Sequence, residues 1–99
     1  MMAYSFLSRF RIKETRVSDF LDAARQMEQQ AREEEGALFF QFYRLDLPGM
    51  FAVLESFVDE KAGEAHMEYE RNKPLIATMI DCMDGSYERE MLLDLESAS

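Results

Sequence analysis

The chain carries one histidine, His66, and it falls on a stripe of Ala62, Ala65, His66 and Tyr69 whose spacing of three and four residues is that of a helix face turned toward a core. An imidazole titrates near neutral pH, so one placed among apolar groups can take a proton from a weakly acidic substrate. The competing reading is a core histidine satisfied by a backbone carbonyl. Glu55 is the second notable group, because it interrupts the apolar alternation of Phe51, Val53 and Phe57. A carboxylate on a buried strand face needs a partner or a raised pKa. It could orient His66 or a substrate hydroxyl, or it could pair with Arg9, Arg11 or Arg44.

Little other chemistry is available. There is no glycine-rich phosphate loop and no cysteine pair, since Cys82 is alone and reads as a small buried hydrophobe. One histidine cannot build a two-His-one-carboxylate iron site within a chain. No nucleophile-elbow sequence surrounds Ser5, Ser8, Ser18, Ser56 or Ser86. No metal and no cofactor are therefore expected. The runs Glu33-Glu34-Glu35 and Glu88-Arg89-Glu90 read as a solvated helix end and a solvated strand edge, and the eight methionines as adaptable packing.

The elements that must position His66 and Glu55 follow from periodicity. Tyr4 to Lys13 alternates as a strand, with Tyr4, Phe6, Phe10 and Ile12 on one side. Val17 to Glu35 repeats Val17, Phe20, Leu21, Ala24, Met27 and Ala31 at helical spacing, with Thr15 or Ser18 as cap and Gly36 as stop. Ala37 to Leu45 is apolar on both faces, Leu38, Phe40 and Phe42 against Phe39, Gln41 and Tyr43. Asp46-Leu47-Pro48-Gly49 has turn chemistry, and Met50 to Phe57 is the hairpin partner strand. Asp59 caps a second helix; Asn72-Lys73-Pro74 interrupts it, and Pro74 suits the first turn of a short helix through Met79. After the Asp84-Gly85 turn, Ser86 to Leu95 alternates as a last strand, and Glu96 to Ser99 is expected to fray.

The order β-α-β-β-α-β predicts an α+β, ferredoxin-like antiparallel sheet with both helices on one face, as a single domain over residues 1–99. Ten of the twelve aromatic residues fall in these strands, so an open second face would be an apolar patch too large for a monomer; a homodimer packing sheet against sheet is expected. A formal charge of −9 argues against a nucleic-acid backbone and an anionic membrane. No run approaches the ~20 apolar residues of a bilayer span, and a lone cysteine suits a reducing, cytoplasmic setting.

The segment Glu35-Gly36-Ala37-Leu38-Phe39-Phe40-Gln41-Phe42-Tyr43-Arg44, then Pro48, then Phe51-Ala52-Val53-Leu54-Glu55-Ser56-Phe57, then Asp59-Glu60-Lys61-Ala62 and His66, resembles the antibiotic biosynthesis monooxygenase domain. The resemblance implies a dimeric α/β barrel with a cavity between the sheet and the helices of each subunit. It implies His66 as a catalytic base lining that cavity, Phe57 and Tyr69 as walls, Glu55 and Ser8 as substrate contacts, and a small apolar or aromatic ligand. Family members include cofactor-independent oxygenases of quinols and polycyclic phenols, haem-degrading enzymes and an isomerase of a phosphorylated sugar-like molecule. The aromatic two residues after the Glu is commonly Trp, and Phe57 stands there. The positions matching the Asn, Trp and His of haem-degrading members hold Ser8, His66 and Ile76, which disfavours haem degradation. The expected function is a cofactor-independent monooxygenase of a quinol or polyphenol. The alternatives are a non-catalytic small-molecule-binding dimer, or a cofactor-free isomerase with His66 as proton shuttle; a phosphorylated substrate would want a cationic cluster, for which Arg9, Arg11 and Arg44 are candidates.

Overall fold

The computed structural model describes residues 3–95; Met1, Met2 and the Glu96–Ser99 tail lie outside them. The elements run β1 (Tyr4–Arg11), a 3₁₀ turn (Glu14–Arg16), α1 (Val17–Arg32), β2 (Ala37–Arg44), β3 (Met50–Phe57), α2 (Glu60–Glu68), α3 (Lys73–Cys82) and β4 (Glu88–Leu92). The four strands form an antiparallel sheet in the order β2-β3-β1-β4, which is the ferredoxin-like arrangement with its second helix divided in two.

Period-2 patterning sets the sheet's two faces. Phe6, Ser8 and Phe10 are buried on β1, Ile12 just beyond its end, and Phe51, Val53 and Phe57 on β3. These side chains meet the buried face of α1, formed by Phe20, Ala23, Ala24, Met27 and Ala31, in one core that also takes in Phe40, Met79 and Cys82. Phe20 holds its centre, with ring centroids 4.9 Å from Phe51 and 5.5 Å from Phe10. The Glu28 carboxylate accepts the Phe42 N–H at 2.8 Å, tying α1 to edge strand β2.

Several local expectations need correction. Neither Thr15 nor Ser18 caps α1: the N-cap is Arg16 with no side-chain cap bond, because the 3₁₀ turn runs straight into the helix and supplies its entry. The helix stops at Arg32, four residues before Gly36. Gly36 is required for space, since a Cβ there would lie 2.5 Å from the Cβ of Ala62 on α2. Leu38 does not share the face of Phe40 and Phe42; a bulge between Ala37 and Phe39 shifts the register and leaves it exposed. The third helix continues past Met79 to Cys82, and β4 is shorter than the alternating stretch that announced it. Asp59 does cap α2, accepting the Ala62 N–H at 2.8 Å, and Pro74 does open α3.

Among the described residues, no helix covers the sheet's other face. Leu7 and Leu54 are half-buried there, and Phe39, Tyr43 and Leu92 are exposed. Among the described residues, no helix is long and apolar enough to cross a membrane.

Candidate functional site

Three buried polar side chains from separate parts of the chain converge behind the sheet. His66 comes from the last turn of α2, Glu34 from the turn after α1 and Asn72 from the link between α2 and α3; they are 2%, 6% and 0% exposed. His66 Nδ1 lies 2.9 Å from Glu34 Oε2 and 3.0 Å from Oε1. A carboxylate only accepts, so Nδ1 carries a proton and donates it. Asn72 Nδ2 donates to Glu34 Oε2 at 2.9 Å and to the His66 carbonyl at 2.8 Å. The imidazole is flanked by Phe40 and Phe57, with ring centroids 5.1 Å and 5.4 Å away. Its tautomer and tilt are thus fixed from three sides, and Nε2 is the nitrogen it has left to offer a ligand.

His66 borders a cavity of about 100 Å³ between the sheet and the helices. The sheet contributes Ser8, Phe10, Phe40, Phe42, Val53 and Glu55; the helices contribute Phe20, Met27, Ile76 and Met79. Met67, Ile80, Tyr87 and Arg89, all exposed, stand at its rim. The lining is largely apolar, and its ionisable side chains from β3, α2, β4 and the residue before β4 are Glu55, His66, Arg89 and Tyr87. Burial raises the Glu55 carboxyl to about 7; Arg89 pulls it down and the Glu34 charge pushes it up. Among the described residues, no three His, Cys, Asp or Glu side chains are grouped to hold a metal ion.

The expected site residues separate on this geometry. His66, Glu55 and Ser8 line one cavity, and Phe57 packs behind the imidazole, outside the lining. Tyr69 does not join them. Helix α2 ends at Glu68, the backbone of Tyr69 turns extended (φ −60°, ψ 127°), and its ring is exposed beneath Arg71 at 5.7 Å. The His66 partner is a carboxylate, where a backbone carbonyl was the competing expectation. The run of three glutamates is split: Glu33 and Glu35 are exposed and Glu34 is buried, so the solvated reading fails for its middle member. Glu34 and Asn72 carried no signal as site residues: Glu34 was one of three consecutive glutamates and Asn72 part of the break before Pro74.

The three arginines considered as partners for Glu55 or a phosphate lie elsewhere. Arg9 pairs with Glu90, Arg44 stacks on Phe51 at 5.5 Å, and Arg11 is exposed beyond the cavity lining.

A family model described as antibiotic biosynthesis monooxygenase matches residues 4–73. No curated protein matches the sequence. Several solved structures share the fold. A candidate antibiotic biosynthesis monooxygenase of Nitrosomonas europaea is 21% identical, with a TM-score of 0.87 over 98% of this chain and 94% of that one. A conserved protein of Methanosarcina mazei is also 21% identical, with a TM-score of 0.86 over 94% and 93%. Rv0793 of Mycobacterium tuberculosis is 18% identical, with a TM-score of 0.86 over 98% and 99%. At such identities the likeness is one of fold.

Proposed function

Because the chain belongs to the antibiotic biosynthesis monooxygenase family, we propose that it oxygenates a one- or two-ring phenol or quinol with dioxygen, His66 acting as the base. The observation that carries the reading is the imidazole at the cavity wall with Nδ1 held by Glu34, which leaves Nε2 as the proton acceptor. The small cavity, against the roughly 300–1,000 Å³ of drug-sized sites, favours a flat ligand of few rings, extending past the rim if it is larger. Phenylalanine and methionine walls suit such a ring and keep water from it.

In the reaction we propose, His66 Nε2 takes the hydroxyl proton of the substrate. The resulting phenolate is electron-rich enough to pass an electron to dioxygen, and the ring carbon para to the oxygen bonds one oxygen atom. Loss of the hydrogen on that carbon and cleavage of the O–O bond give the quinone and release the second oxygen atom as water. Atoms balance as phenol plus dioxygen to quinone plus water. The chain's residues bind the ring, hold the tautomer and receive the proton; dioxygen is the oxidant.

We also assign the outer sheet face, with Phe39, Tyr43 and Leu92 exposed on it, to a second copy of the chain. A phosphorylated substrate loses support because Arg9, Arg11 and Arg44 do not line the cavity. Oxygen uptake with a panel of naphthols and quinols tests the oxygenase reading. Uptake above the uncatalysed rate that stalls without air supports it. Binding with no turnover points instead to a non-catalytic carrier, and turnover without oxygen to an isomerase.

A further inference from the structure

The inward face of the sheet is apolar except for a short polar strip at the cavity. Ser8 on β1 and Glu55 on β3 are diagonal neighbours, because Phe6 pairs with Glu55 and Ser8 with Val53. Arg89 on β4 lies directly opposite Ser8, and its guanidinium is drawn over the Phe6 ring, 4.0 Å from the centroid. Among the described residues no cation is hydrogen-bonded to Glu55, which presents its carboxyl to the cavity, and a second carboxylate, Glu34, sits behind His66 outside the lining. The lining holds one carboxyl, Glu55, and one arginine, Arg89, which is exposed at the rim and engaged with the Phe6 ring.

We propose that Glu55 is the specificity determinant of the cavity: its carboxyl turns away ligands that carry their own negative charge and leaves the hydroxyl of a neutral aromatic ligand to His66. The inference rests on the small-molecule reading of the cavity given above and narrows its substrate class to uncharged hydroxyarenes, against sulfated, phosphorylated or carboxylated ones. A neutral ligand brings no charge to the half-buried carboxyl, whereas an anion placed beside it faces like charge in a poorly screened space. The groups facing Glu55 are Arg89 from β4, Tyr87 before it, His66 from α2, Glu34 from the turn after α1 and Ser8 from β1. With the carboxyl titrating at about 7, discrimination against anions is expected to be strongest above that pH and to weaken below it.

The test compares binding of 1-naphthol with that of 1-naphthyl sulfate, whose charge does not change across the range, by fluorescence titration at pH 8 and pH 5.5. The full-length protein is expected to prefer the naphthol by tenfold or more at pH 8 and by several-fold less at pH 5.5. Glu55→Gln keeps the shape and an acceptor oxygen; it should hold the naphthol within about threefold of wild type and bind the sulfate about tenfold tighter, with no pH dependence of the ratio. If the variant does not fold, the wild-type ratio at the two pH values still decides. Equal affinity for the two probes, a ratio indifferent to pH and to Glu55, or binding of neither probe would overturn the inference. Selectivity without oxygen uptake would keep it and remove the oxygenase reading; uptake with a ratio indifferent to Glu55 would do the reverse.

Discussion

His66 Nδ1 meets both carboxylate oxygens of Glu34, at 2.9 Å and 3.0 Å, although the two residues are 32 positions apart and come from different elements. The pair is buried, and a third side chain, Asn72, is hydrogen-bonded to the carboxylate and to the His66 backbone. Removing one member of such a set leaves the others buried without partners.

Replacing Glu34 should therefore damage both stability and activity. Glu34→Ala is expected to cost about 3 kcal/mol, read as a lower midpoint in urea unfolding with unchanged slope. Glu34→Gln should cost less in stability. Its amide can donate to Nδ1 and select the tautomer with the proton on Nε2, so turnover should fall by about 10²-fold or more while ligand affinity changes little. Equal turnover in Glu34→Gln and wild type would remove Glu34 from the positioning role.

Much of this site was legible in the chain, and some of it was hidden. Strand alternation placed Glu55 on the inward face because Phe51, Val53 and Phe57 define that face whatever else surrounds them. His66 was visible because it is the single imidazole on an apolar helix stripe. Glu34 was hidden, since three consecutive glutamates at a helix end look alike until the turn beyond α1 buries one of them. Asn72 looked like a helix breaker before Lys73-Pro74 and is instead the donor that ties the turn to the imidazole. Tyr69 failed for a related reason: a helical stripe predicts direction only while the helix lasts, and α2 stops one residue short of it. Leu38 was lost to a bulge, which pattern alone does not reveal.

Asn72→Ala should be destabilising by about 2–3 kcal/mol, because two buried hydrogen bonds are lost and the Glu34 and His66 carbonyl acceptors are not reached by solvent. Thermal unfolding checks this. A change within 0.5 kcal/mol, the size expected of a surface substitution, would show that the hydrogen bonds contribute little.

Gly36→Ala should also destabilise, since the added Cβ would sit 2.5 Å from the Ala62 Cβ and drive α2 away from the start of β2. A cost of about 1–3 kcal/mol is expected. The double variant with Ala62→Gly should recover most of the packing loss, apart from roughly 1 kcal/mol for glycine in a helix. Failure of that rescue in a double-mutant cycle would place the strain elsewhere.

Stability should fall with rising pH across the range where Glu55 titrates. Its carboxyl is raised from 4.5 to about 7 in the folded chain, mainly by burial. Between these values the native state holds a proton that the unfolded state has released, so the Glu55 contribution is most favourable below pH 4.5, declines toward pH 7 and is flat above. The decline is of order 1–3 kcal/mol. In Glu55→Gln this component should vanish, so the variant should be more stable than wild type at pH 8, as measured by denaturant midpoints over pH 4–8.

The central claim is that His66 starts an oxygenation. It is tested most directly by incubating wild type and His66→Gln with 1-naphthol under ¹⁸O-labelled dioxygen and analysing the 1,4-naphthoquinone formed by mass spectrometry. Wild type should give quinone carrying one ¹⁸O atom, with brief reaction times keeping carbonyl exchange with water low. His66→Gln, still folded and still binding the naphthol, should form at least 100-fold less. Labelled quinone produced equally by the variant, or no labelled product from either protein or from other phenols and quinols of the panel, would contradict the account.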